Sequence, residues 1–115
     1  MVLLVHHSIS PQSRKVRLIM AEKKMLFVLK EEEPWKLSQD ILDINPSGDL
    51  PVLVFDGKVV AGNYAVTEYL EESNPQYKLL PEEPVARAEV RRIMDWFDTK
   101  FFNEVYKYIV AEKII

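Results

Sequence analysis

The chain has 115 residues, 48% apolar and 29% charged, with a net charge of -3, which is enough material for one domain with a core, or one domain and part of another. The acidic balance argues against a nucleic-acid-binding surface, and no apolar run nears the roughly 20 residues that span a bilayer. There is no cysteine, which excludes a disulfide frame and a thiol nucleophile.

Met1 to His7 has neither a basic leader nor a long apolar core, so no signal peptide is expected and the expected compartment is the cytoplasm. Val2 to His6 is a short apolar run of the kind that forms a buried strand. Ser10-Pro11 opens a helix, with Ser10 as N-cap and Pro11 at the first helical position. This helix is predicted to bury Val16, Ile19, Met20 and the stem of Lys23, leaving Arg14, Lys15 and Arg17 in solvent. Leu26 to Leu29 reads as a second strand broken by Glu31-Glu32-Glu33-Pro34, and Trp35 to Ile44 as a short helix ending at Asn45-Pro46. Val52 to Phe55 and Lys58 to Ala61 flank Asp56-Gly57, a pair that favours a tight hairpin turn. Asn63 is predicted to cap a helix through Leu70, with Ala65, Val66, Tyr69 and Leu70 inward. The order is βαβα followed by ββα. A helix crossing between the first two strands makes them parallel and the hairpin adds antiparallel strands, so the fold class is α/β with a mixed sheet.

Between Ser73 and Pro84 lies a stretch rich in proline and polar residues, which divides the chain into a domain at 1–73, a linker at 74–84 and a helical segment at 85–115. From Val85 to about Lys113 the pattern is that of one helix, roughly 40 Å long. Val90, Ile93, Met94, Phe97, Phe101, Val105, Tyr108 and Ile109 form its main stripe, with Trp96, Phe102, Tyr106 and Val110 beside it. A helix apolar on several sides expects several partners. The pattern stops uncapped at Ile114-Ile115, so the expectation is a truncated chain rather than an obligate oligomer, with self-association through the Trp96, Phe102 and Tyr106 side.

Asn45-Pro46-Ser47-Gly48-Asp49-Leu50-Pro51-Val52-Leu53 runs from a turn cluster straight into a strand, with Pro51 at the junction. A proline there has no ladder donor, which requires an edge, a bulge or a special turn. A trans proline opening a strand is the commoner arrangement. A cis bond, open to X-Pro at about 0.5–1 kcal/mol, instead bends the chain and leaves the backbone of Leu50 for a ligand. His6 and His7 are adjacent and alternate faces on a strand, which argues against a metal pair; they read as strand-end residues, and no metal is expected.

Three blocks, Ser8-Ile9-Ser10-Pro11-Gln12-Ser13-Arg14-Lys15-Val16-Arg17, Asn45 to Leu53 and Ala65-Val66-Thr67-Glu68-Tyr69-Leu70, together resemble the glutathione S-transferase family in order and spacing. The resemblance covers roughly Met1 to Ser73, and the helix from Val85 resembles the first helix of that family's all-α C-terminal domain. It implies a thioredoxin-like N-terminal fold, glutathione as co-substrate, a small electrophile as second substrate and a homodimer. It also implies that Pro51 is cis and that Leu50 offers its backbone to the cysteinyl part of glutathione, a form of main-chain pairing with an extended peptide. Ser10 falls where the family carries its catalytic Ser or Cys. A hydroxyl at that helix N-terminus donates to the glutathione sulfur, and the dipole favours the thiolate. The plainer alternative is that Ser10 only caps the helix. Ser8 is a second hydroxyl in the same loop and an alternative contact for the sulfur. Ser13 stands where thioredoxin-like oxidoreductases have their second cysteine, so disulfide exchange is excluded.

The chain also departs from the family. Where an acidic residue or Gln followed by Ser usually grips the γ-glutamyl group, it has Gly62-Asn63. Asn63 offers an amide and a backbone N–H to a carboxylate, whereas Gly62 offers no side chain. Lys36 is a candidate for the glycyl carboxylate, the alternative being a solvated lysine. Two functions follow from the resemblance. One is a glutathione transferase, weak or inactive as this fragment. The other is a non-catalytic binding module like the family's stringent-starvation-type members, which contact a protein partner.

Overall fold

β1 (Val2–His6) is an interior strand, and its register organises the domain. In this computed structural model, which describes residues 1–106, β1 pairs in parallel with β2 (Val28–Glu31) on one side and antiparallel with β3 (Val52–Phe55) on the other. β4 (Lys58–Ala61) closes a hairpin on β3, so the sheet has four strands in the order β2-β1-β3-β4. The fold is α/β with a mixed sheet, as expected, and the hairpin has its expected bounds.

Helices cover both faces of the sheet. On one face, α1 (Pro11–Glu22) and α3 (Asn63–Ser73) close a core of Leu4, Val16, Met20, Leu53, Val66 and Leu70. On the other, Val5 and Val52 join Ile41 of α2 (Gln39–Ile44), with Leu37 and Leu50 packed beside them. Leu4 and Val5 serve different cores because successive strand residues point to opposite faces.

The structure corrects several local expectations. β2 starts at Val28 rather than Leu26, which is 92% exposed, because the pairing Leu3↔Val28 through His6↔Glu31 sets the strand's frame. Glu31 is therefore the last strand residue and not part of the breaker. α2 starts at Gln39 rather than Trp35: a Glu33↔Lys36 bridge closes a turn around Trp35, and the Glu32 carboxylate accepts the Ser38 N–H at 2.9 Å, fixing the helix entry there. Gly62, not Asn63, is the N-cap of α3, and Asn63 is its first residue. On α3 the inward positions are Val66, Thr67 and Leu70, while Ala65 is exposed, since the Val66–Leu70 spacing sets the phase of the buried stripe.

Lys23 is buried beyond its stem. Its ammonium lies 2.9 Å from Glu71 Oε1 and donates to the Tyr77 carbonyl at 2.9 Å. A buried ammonium needs such a set of partners. This one ties the 3₁₀ turn Pro75–Tyr77, in the stretch expected to be linker, to the end of α1. The chain divides into two compact units, Met1–Leu79 and one beginning at Leu80.

In the second unit α4 (Pro84–Trp96) continues into a π-helical segment, Phe97–Tyr106. The Glu83 carboxylate caps α4 by accepting the N–H groups of Val85 (3.0 Å) and Ala86 (2.8 Å), which hold its pKa below the ordinary carboxylate value. The expected single winding from Val85 thus starts one residue earlier and widens after Trp96. No residue of α4 is buried. The expected stripe positions Tyr108, Ile109 and Val110 lie outside the described residues, as do Ile114 and Ile115. Among the described residues no helix is long and apolar enough to cross a membrane.

Candidate functional site

Three chain segments converge at one end of the sheet. The register Val5↔Val52 sets the exit of β1 beside the entrance of β3, and Val52↔Ala61 sets the exit of β4 on the other side of that entrance. The Gly62 N–H extends the hairpin by one bond, donating to the Pro51 carbonyl at 3.0 Å.

The central segment is Asn45 to Pro51. The Leu50-Pro51 peptide bond is cis, and Pro51 is fully buried. Buried Asn45 organises the approach: its side-chain amide donates to the Asp49 carbonyl at 2.7 Å, and the Ser47 hydroxyl donates to its Oδ1 at 2.9 Å. Gly48 has φ +76°, so the backbone calls for glycine, and a Cβ there would stand 3.1 Å from Leu37 Cδ1, whose side chain would have to shift slightly. The ladder begins at Val52, which leaves Leu50 beyond its last pair.

The β1–α1 loop is built largely by side chains. Ser10 is buried and its Oγ accepts the Ser13 N–H at 3.2 Å, an N-cap bond. Ser13, fully buried, accepts the His7 N–H on its own Oγ at 3.2 Å. Ser8 turns away toward β2: its N–H and hydroxyl both donate to Glu31, each at 3.0 Å to Oε1. From α1, Arg17 donates to the Ser8 carbonyl at 3.3 Å and reaches His6 Nδ1 at 2.7 Å. His6 Nε2 and His7 Nδ1 each lie 3.3 Å from an oxygen of Glu31, and the His7 and Trp35 rings stand nearly perpendicular, with centroids 5.2 Å apart.

Two expectations are corrected here. Arg17 does not simply meet solvent, because an acceptor at the end of β1 draws it in. His6 and His7 are not separated by opposite faces either, since His7 lies past the end of β1 and both rings reach one carboxylate. Among the described residues no three His, Cys, Asp or Glu side chains stand where they would hold one metal ion.

Electrostatics follow from this packing. Burial lowers the His6 pKa; Glu31 opposes that fall, while Arg17 and His7 add to it. For Glu31 burial is the largest single influence and acts upward. The Ser8 N–H and hydroxyl, with His6 and His7, together outweigh it and hold the carboxyl below its ordinary value. Glu32 is lowered first by the hydrogen bond from Lys30 and then by the Ser38 N–H.

The third segment, Gly62-Asn63, is mostly main chain. Gly62 has φ +96° and ψ 150°, a conformation essentially restricted to glycine, from which the chain enters α3 with its first amides at this end of the sheet. The segments that carry Ser10, Leu50-Pro51 and Gly62-Asn63 thus lie at the same end of the sheet. Lys36 does not stand on a helix; it is exposed on the turn that follows the edge strand β2. Sequence reasoning missed Arg17, Glu31 and the role of His6. The signal was a carboxylate ending the strand parallel to His6, and misplacing that strand by two residues hid it.

Comparison with known proteins gives a consistent result. The family description "Glutathione S-transferase, N-terminal domain" matches residues 9–73. A glutathione S-transferase structure from Rhodospirillum rubrum F11 is 44% identical with a TM-score of 0.93, over 99% of this chain and 52% of that one. FtsZ-localized protein A of Caulobacter vibrioides is 38% identical, over 96% of this chain and 50% of the relative. Rice GST1, solved in complex with glutathione, is 31% identical with a TM-score of 0.76, over 84% of this chain and 47% of that one. This chain spans about half the length of the relatives it matches.

Proposed function

This chain belongs to the glutathione S-transferase family, and on that premise we propose that Ser10, Leu50-Pro51 and Gly62-Asn63 bind glutathione, whose thiol the full-length protein directs at a small electrophile. The observation that carries this reading is the main-chain strip from Leu50-Pro51 across to Gly62-Asn63, joined by the Gly62–Pro51 bond, at the same end of the sheet as the Ser10 helix entry. Glutathione supplies the nucleophilic thiol, and the chain's own residues bind it and favour its ionised form. Leu50, outside the ladder, offers N–H and C=O to an extended peptide. The Ser10 oxygen accepts its cap bond with a lone pair, so its proton is still available to donate to a thiolate. That donation, with the N-terminus of α1, favours ionisation of a thiol whose free pKa is about 8.5. The α3 amides and Asn63 suit the γ-glutamyl carboxylate, and Lys36 is proposed for the glycyl carboxylate. Because Gly62 contributes no side chain, weak affinity is expected. Rice GST1 in complex with glutathione supports the ligand class. The homodimer, the cytoplasmic location and the electrophile site in the remaining half belong to the same proposal.

Titration calorimetry of the full-length protein with glutathione tests it. Saturable heat at millimolar ligand or below is expected, and its absence would overturn the reading.

A second reading, a non-catalytic binding module that contacts a protein partner, is favoured by the bare Gly62 corner and by the likeness to a relative named for its FtsZ localisation. Glutathione calorimetry separates the two, and Ser10→Ala tests the role of Ser10. A fall in conjugation rate supports the transferase, and an unchanged rate removes Ser10 from the chemistry.

A further inference from the structure

We propose that Arg17, His6 and Glu31 form an ordered hydrogen-bond relay that positions the Ser8–Ser10 loop, with His6 as a neutral imidazole carrying its proton on Nε2. The assignment follows from donor and acceptor chemistry. A guanidinium has only donors, so the Arg17 Nη1 contact at 2.7 Å requires a lone pair on His6 Nδ1. The single proton of neutral His6 then sits on Nε2, which faces Glu31 Oε2 at 3.3 Å. Glu31, an ionised acceptor, faces that proton and accepts the N–H and O–H of Ser8. Arg17 closes the circuit on the Ser8 carbonyl.

The loop is therefore gripped at three polar groups of Ser8 by two residues that His6 joins. Beyond Ser8, the His7 carbonyl accepts the Ser10 N–H at 3.0 Å and the Ser10 Oγ takes the cap bond. The Ser10 hydroxyl proton lies outside this network. Arg17, His6 and Glu31 are positioning residues. They set where the Ser10 hydroxyl stands.

Protonation of His6 breaks the order, because a cationic imidazole has no lone pair left for Arg17. The charged and titratable groups facing His6 are Glu31 from β2, Arg17 from α1 and its neighbour His7; on the β3 side the next position is Pro51, without charge. Lys30, nearby on β2, is engaged by Glu32. Burial and Arg17 both disfavour the cation, in agreement with the lowered pKa of His6. The loop is thus expected to be ordered at neutral pH and to loosen on acidification as His6 titrates.

The relay stands without glutathione; only its consequence for Ser10 rests on the proposed function. Long-range ¹H–¹⁵N correlation of the histidine rings in the 115-residue chain tests it. At neutral pH, His6 is expected to show an unprotonated, pyridine-like Nδ1 and a protonated Nε2. On acidification the Ser8 amide should lose exchange protection with the same midpoint as the His6 ring. A protonated Nδ1, a cationic His6 at neutral pH or a Ser8 amide indifferent to the His6 titration would overturn the proposal. Arg17→Leu, in which Nδ1 loses its donor, should bring the His6 midpoint back toward the ordinary value; an unmoved midpoint counts against the relay. In the full-length enzyme, Glu31→Gln is expected to lower kcat by between about tenfold and a hundredfold with little change in KM, the scale of a misplaced reacting group. A protein with the expected tautomer that fails to bind glutathione retains the relay and loses only the proposed function.

Discussion

The β1–α1 corner and the β4–α3 corner stand at the same end of the sheet, on either side of Pro51, and are built from opposite materials. At the β1–α1 corner the His7 N–H and both main-chain groups of Ser8 meet side chains: Ser13, Glu31 and Arg17. At Gly62-Asn63 the main chain of Gly62 carries the geometry, with a positive φ, its N–H on the Pro51 carbonyl and its carbonyl accepting the Val66 N–H. A corner held by charged side chains is tunable by pH and by mutation at a distance. A corner held by backbone conformation answers mainly to the residue that adopts it.

The sharpest way to break this contrast is Gly62→Ala. A Cβ at Gly62 meets nothing within 4 Å, so the whole effect is conformational, about 1–3 kcal/mol for a non-glycine residue at that φ and ψ. Urea unfolding should register it; a loss below about 0.5 kcal/mol, the usual scale of a neutral surface change, would mean that the corner relaxes freely. At the other corner Ser10→Ala removes one cap bond and should cost about 1 kcal/mol, with Ser10→Gly closer to neutral, as caps generally behave. If Ser10→Ala leaves the unfolding midpoint unchanged, the corner is held by the Ser8 contacts alone.

The smallest expected effect is the pH dependence, and it too distinguishes the corners. The folded pKa of His6 is lowered from the ordinary 6.5, so the unfolded chain binds the proton more readily. Its contribution is fully present above 6.5 and is lost as the pH falls through the folded value. Glu31 and Glu32 are likewise lowered from 4.5, adding a second loss of the same sign at lower pH. Stability measured from pH 8 downward should decline in two stages, and His6→Gln should remove the first. A single decline in the carboxylate range would mean that His6 contributes nothing measurable.

How legible each part was in the sequence tracks how local its causes are. The Ser10-Pro11 entry to α1 and the Asp56-Gly57 hairpin are set by residues within a few positions of one another and stand as read. The residues around Pro51, by contrast, favour the commoner trans bond, and only the family resemblance implies the cis bond found. The start of α2 is not legible in this way, because it is fixed by Glu32, a residue whose reach to Ser38 no periodicity reveals. On α3 an inward stripe can be drawn through Ala65 as easily as through Thr67 until the sheet selects a phase.

By itself, then, the sequence determined the element order, the mixed sheet and the family, since turn chemistry and apolar periodicity act over short stretches and three such stretches together are specific. Only the tertiary structure decided what holds the Ser8–Ser10 loop. Glu31 and Arg17 act on it from β2 and α1, and the parallel register His6↔Glu31 that joins them depends on the whole crossover rather than on any neighbouring residue.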